Sequence, residues 1–109
     1  MSDAAVGILR DARGYIERGW AQGDAARDDD GFACTVESRK AVRWCALGAI
    51  GAAGRRFPQR DRDTALTALY RAVGTPTISF WNDSPRRTQA DVLAAFDRAI
   101  RITAREVKP

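Results

Sequence analysis

The chain has 109 residues, with 18 Lys and Arg against 14 Asp and Glu, a formal net charge of +4 and no histidine. That length suits one domain spanning residues 1–109. The lack of histidine removes Ser–His–Asp and Cys–His catalysis along with the commonest metal ligand. Alanine supplies much of the apolar content, so the core must rest on close helix contacts, with three Trp, two Tyr and four Phe as bulk. No run of about 20 apolar residues marks a membrane span. The start, Met1-Ser2-Asp3-Ala4, carries neither the basic region nor the apolar region of a signal peptide, so a cytoplasmic protein is expected.

Residues 3–19 predict a helix capped by Ser2 or Asp3. Ile8, Leu9, Ala12, Ile16 and Trp20 form its apolar stripe, and Arg10, Asp11, Arg13, Glu17 and Arg18 its polar face, with Gly19 at its end. Residues 21–37 lack helical period. Asp30-Gly31, flanked by Ala25-Ala26-Arg27 and Phe32-Ala33-Cys34-Thr35-Val36, signals a small irregular β-hairpin. Ser38 is a good N-cap, and residues 39–53 predict a helix whose stretch Trp44–Ala53 is apolar on all sides, hence a buried central one. Gly48, Gly51 and Ala52 let its neighbours approach closely, and Gly54 is its expected left-handed terminator.

Residues 55–62 read as a basic loop, with Asp61 or Asp63 capping a helix over 63–73 that Gly74 ends. Residues 77–87 read as non-helical: an extended Thr77–Phe80, then a turn at Trp81-Asn82-Asp83-Ser84-Pro85. Thr88-Gln89-Ala90-Asp91 resembles a capping box opening a last helix over 88–106, lined by Val92, Phe96, Ala99, Ile100 and Thr103. The fold expected is mainly α: about four helices around the buried helix 39–53, with a hairpin insertion near 21–37.

Few residues carry an obvious chemistry. Asp28, Asp30 and Glu37 match positions 3, 5 and 12 of a calcium loop with Gly31 at position 6, but position 1 falls on Ala26, which has no ligand oxygen. Two cysteines without histidine cannot complete a zinc site, so no metal and no cofactor are expected. Cys34 and Cys45 read as free thiols. Cys45 sits within an apolar run that raises its pKa, and Cys34 is the more exposed and more oxidisable.

Trp81, Asn82 and Asp83 are the sharpest local feature. They are either a ligand-binding or protein-binding turn, or a structural cap in which Asn82 or Asp83 satisfies backbone N–H groups. The basic balance is nearly all Arg, with only Lys40 and Lys108. Arg55, Arg56, Arg60 and Arg62, with Arg86 and Arg87, are candidates to track phosphates, and Phe57 to stack on a base. The alternative is a solvated loop balanced by Asp61 and Asp63.

Trp44-Cys45-x-x-Gly48-Ala49, Trp81-Asn82-Asp83, the segment from Thr88 to Ile100, and the opening Ile16-Glu17-x-Gly19-Trp20-x-Gln22-Gly23 together resemble a family of small bacterial and phage domains of unknown function, frequent in actinobacteria. The resemblance spans about residues 8–102. It implies a soluble intracellular protein and carries no activity, cofactor or catalytic residue.

With no paired catalytic carboxylates and no phosphate-binding glycine loop, the sequence points away from an enzyme. It points toward a binding or regulatory module acting through protein contacts, encoded by a phage or mobile element and directed at a host factor. A weakly specific nucleic-acid binder using the Arg-rich loop is the alternative, and a small-molecule site at Trp81, Asn82 and Asp83 the third reading. No membrane partner is expected, and the oligomeric state stays open.

Overall fold

The computed structural model describes residues 3–107, so Ser2, a candidate cap, lies outside the described residues. In chain order the elements are α1 (Asp3–Arg18), β1 (Ala26–Arg27), β2 (Ala33–Cys34), β3 (Arg43–Trp44), α2 (Ala46–Gly54), α3 (Gln59–Val73), α4 (Ile78–Asp83) and α5 (Gln89–Val107). The fold is mainly helical, as the periodicity predicts, with five helices among the described residues rather than about four.

The stripe on α1 is buried through Ala5, Val6, Ile8, Leu9, Ala12 and Ile16. It faces α5, where Val92, Ala95, Phe96, Ala99 and Thr103 are buried, and α1 also touches α2 and α3. Alanine on both sides of these contacts lets the helix axes come close. The last helix opens on the expected box: the Asp91 N–H donates to Thr88 Oγ1 (3.1 Å), and the Thr88 N–H donates back to Asp91 Oδ2 (3.0 Å). Arg13 on α1 donates to Asp97 on α5 at 2.6 Å, which raises the guanidinium pKa further.

The hairpin forms at the expected turn. Gly31 has φ 87°, the left-handed region that favours glycine, and Asp28 Oδ1 accepts from the N–H groups of Asp30 and Phe32 (3.0 and 2.9 Å). Asp28 thus serves the turn's backbone. Among the described residues no three Cys, Asp or Glu gather where they could hold a metal ion.

Four boundaries differ from the sequence expectation. The first is the central helix, which begins at Ala46 and not at 39. Residues 43–44 instead form a third strand, and β1 lies between β2 and β3, antiparallel to both. The reason is tertiary: the Trp44 N–H donates to Gly19 O and the Ala21 N–H to Trp44 O, both at 3.0 Å. That approach needs Gly19, since a Cβ there would meet Val42 O at 2.1 Å. Ser38 therefore stabilises a turn through the Lys40 N–H and does not cap the helix.

Second, Gly54 is helical rather than left-handed, because Arg62 Nη1 donates to its carbonyl (3.1 Å) and to Phe57 O, ending α2 from outside. Third, α3 starts at Gln59, with Pro58 at its N-cap, so neither Asp61 nor Asp63 caps it, and Arg60 and Arg62 are helical rather than in a loop. Gly74 ends it in the left-handed conformation as expected. Fourth, residues 78–83 form a short helix where an extended piece and a turn were expected. No helix among the described residues is long and apolar enough to cross a membrane.

Candidate functional site

Asn82 is fully buried, and three segments meet on its amide. Its Oδ1 accepts from Trp20 Nε1 (2.9 Å) and from the Ala46 N–H (3.0 Å). Its Nδ2 donates to Ala21 O (3.0 Å) and to Asp83 Oδ1 (2.9 Å). Those bonds use both donors and two acceptor sites of the amide. Gln22 Nε2 donates to the carbonyls of Asn82 (3.0 Å) and Ser84 (2.9 Å), and the Gly23 N–H donates to Asp83 Oδ1 (3.0 Å). Arg87 lies 4.2 Å from the centre of the Trp81 ring, and its Nε donates to Trp81 O (2.8 Å).

The junction thus joins the chain after α1, the start of α2 and the end of α4. Cys45 belongs to it as the N-cap of α2, not as a mid-helix residue: its sulfur accepts from the Gly48 N–H at 3.2 Å. Burial pushes its thiol pKa up, the direction the apolar run predicts, because the thiolate would lose its hydration. Both cysteines are free thiols, Cys34 half-buried and Cys45 buried.

Beside the junction lies an apolar hollow of about 300 Å³. Val36, Cys45, Leu47, Gly48 and Gly51 line it, with Asp24 and Asp83 among its polar residues. Leu47 is 39% exposed there, and Phe80, 80% exposed, follows Ser79 of the same lining. Gly48 is required for packing, since a Cβ would meet Ala25 O at 2.1 Å.

The candidate arginines are dispersed. Arg55, Arg56 and Phe57 line a second, larger cleft of about 680 Å³ between α1 and the C-terminal end of α2. Arg60 and Arg86 are exposed outside that lining, Arg62 holds the carbonyls at the end of α2, and Arg87 stacks on Trp81. The cleft also takes Arg10 and Arg18 from the polar face of α1, and Tyr15, which the sequence analysis does not single out. The available signal was spacing: positions 10, 14 and 18 lie on one side of a helix, and Gly14 contributes no side chain.

The fold and this junction define a small helical module with a three-stranded ribbon clasped against its central helix. A family model described as a family of unknown function (DUF6197) matches residues 1–102, and the chain belongs to that family. Neither a curated protein nor a solved structure matches it.

Proposed function

We propose that this chain is a non-catalytic binding module that engages a protein partner through the hollow beside α2. One observation carries this reading: Leu47 is 39% exposed at an apolar depression, on a helix whose other residues are mostly buried. An apolar side chain entering the hollow is removed from water together with Leu47 and Val36, a gain of about 25 cal/mol per Å² of apolar surface. Asp83 supports a basic flank on that partner, because both of its hydrogen bonds fall on Oδ1 and leave Oδ2 to accept another. The matching partner is a protein segment with an apolar anchor next to Lys or Arg. The resemblance to phage-borne domains directs the first search to host proteins.

Selection from a displayed random peptide library tests the reading, with Leu47→Asp as the counter-target. Position 47 lies in the first turn of α2, where an acid is tolerated. Enriched peptides should carry an apolar residue beside Lys or Arg and bind the variant at least ten-fold more weakly. Peptides that bind both proteins alike would overturn the proposal, as would a selection that enriches nothing.

A further inference from the structure

We propose that the cleft between α1 and the C-terminal end of α2 binds a nucleotide unit, with its phosphate held by arginines and its base lying against Phe57. The site is distinct from the hollow and rests on different residues. Arg10, Arg55 and Arg56 are exposed, converge on the cleft from two elements, and have no carboxylate partner among the described residues. A folded protein that leaves three guanidiniums on one depression maintains a local positive field there.

Arg18 is already positioned. Its guanidinium lies 4.5 Å from the centre of the Tyr15 ring, and its Nε donates to Gly14 O at 3.4 Å. A stacked guanidinium still presents donors at its edge and loses less freedom when an anion arrives. Two acids also line the cleft, Asp11 and Glu17, and Glu17 is paired with Arg13 at 3.3 Å. Four arginines against two carboxylates leave the lining net positive by two, which matches a phosphate better than a single carboxylate.

The aromatic residue narrows the class. Phe57 is half-buried and lines the same cleft. A bare anion would make no use of it, whereas a base has a planar face that stacks on an aromatic ring. The volume of about 680 Å³ lies within the range of about 300–1,000 Å³ common for small-ligand sites. Phosphate plus base is chemistry shared by a free nucleotide and a single strand, and the two are separated by experiment.

The test uses the intact protein with two probes: fluorescein-labelled uridine dodecamer RNA followed by anisotropy across a salt series, and ATP followed by calorimetry. At least one probe should bind at low ionic strength, and Arg55→Ala with Arg56→Ala should weaken it ten-fold or more. Arg60→Ala with Arg86→Ala removes the same charge outside the cleft and should change affinity less than two-fold. RNA binding without ATP binding identifies a strand as the source. For that source the cleft variant should lower the slope of log affinity on log salt by about 1.4, at about 0.7 per phosphate contact. ATP binding that displaces RNA identifies the free nucleotide. Equal losses in the two double variants would overturn the proposal, as would polyglutamate binding as tightly as RNA, or no binding of either probe at low salt.

Discussion

Two polar constellations flank α2, and they treat hydrogen-bonding capacity in opposite ways. At the N-terminal end, Asn82 is wholly buried and its amide is saturated by Trp20, Ala21, Ala46 and Asp83. At the C-terminal end, Arg10, Arg55 and Arg56 stand in solvent around a cleft, paired with no carboxylate among the described residues. A saturated buried group has nothing left to offer a ligand, and its removal falls on stability. An unsatisfied exposed group costs the fold nothing and is open to a partner. Among the described residues no buried side-chain nitrogen or oxygen lacks a partner. The Asn82 amide is therefore spent on closing the structure, while Asp83 Oδ2 and the cleft arginines stay open at the surface.

The largest effect should come from Asn82. Replacing it with Ala orphans Trp20 Nε1, the Ala46 N–H and Ala21 O together, and a buried group left unpaired costs about 1–3 kcal/mol. Asn82→Ala should lower the melting temperature by at least about 10 °C, on the scale of about 4–8 °C per kcal/mol for a domain of this size. Asn82→Asp sharpens the point. It keeps the acceptors but sets a carboxylate oxygen against Ala21 O and Asp83, so it should also destabilise at neutral pH. Its deficit should shrink as pH falls and the new carboxyl gains a proton to donate. Thermal melts at pH 7 and pH 4.5, each compared with wild type, read the difference. An Asn82→Asp variant as stable as wild type at pH 7 would mean that the amide donors do not hold the junction.

Gly48→Ala tests the same end of α2 through packing, at the Ala25 carbonyl that also accepts from the Cys45 N–H at 3.1 Å. The new Cβ would meet backbone at Ala25 O, which cannot rotate aside, so β1 and α2 must separate. Overpacking of this kind costs about 1–3 kcal/mol, although alanine is the better helix former. Denaturant titration should show the loss, and a gain in stability would place Ala25 farther from α2.

How much of this was legible follows from which interactions are local. The stripe on α1, the Thr88–Asp91 box and the Asp28–Gly31 turn are set by residues a few positions apart, and all three form where the sequence predicts. The start of α2 was not legible, because Ser38 offers a good N-cap and the apolar run that fills the helix already begins at Trp44. Pairing with Gly19, Ala21 and strand β1, all distant in sequence, draws Trp44 into a strand. Nor was α4. Six residues do not sustain a helix alone, and the amide of Asn82 supplies the tertiary bonds. The cleft was half legible for the same reason. Arg55, Arg56 and Phe57 are neighbours in sequence, but Arg10, Tyr15 and Arg18 join them only when α1 packs on α2.

Cys45 gives a smaller effect with a definite sign. Burial holds its thiol neutral and its pKa above the ordinary value, so the folded protein retains that proton where the unfolded chain has lost it. The stabilisation is fully present below the unfolded thiol pKa and is lost as pH rises through the folded one. Stability should therefore fall as pH climbs above the ordinary thiol range, and Cys45→Ala should flatten that decline. A thiol-reactive dye at pH 8 should label Cys34 promptly and Cys45 only after denaturant is added. Equal labelling of both native thiols would show α2 opening at its N-cap.

The smallest effect on stability should come from the arginines of the cleft, and that null result is the sharpest use of the comparison. Arg55 and Arg56 are exposed and without a carboxylate partner among the described residues, so alanine at both removes neither a buried contact nor an ion pair there. Surface changes of that kind stay within about 0.5 kcal/mol. The double variant should therefore melt with wild type in low salt, or slightly above it, because two like charges leave a depression that also holds Arg10 and Arg18. A clear loss of stability would mean that these guanidiniums are committed to the fold as Arg62 is, through the carbonyls at the end of α2, and the contrast with Asn82 would collapse. An unchanged melt combined with lost nucleotide binding would place the Asn82 junction and the nucleotide cleft at opposite ends of one nine-residue helix.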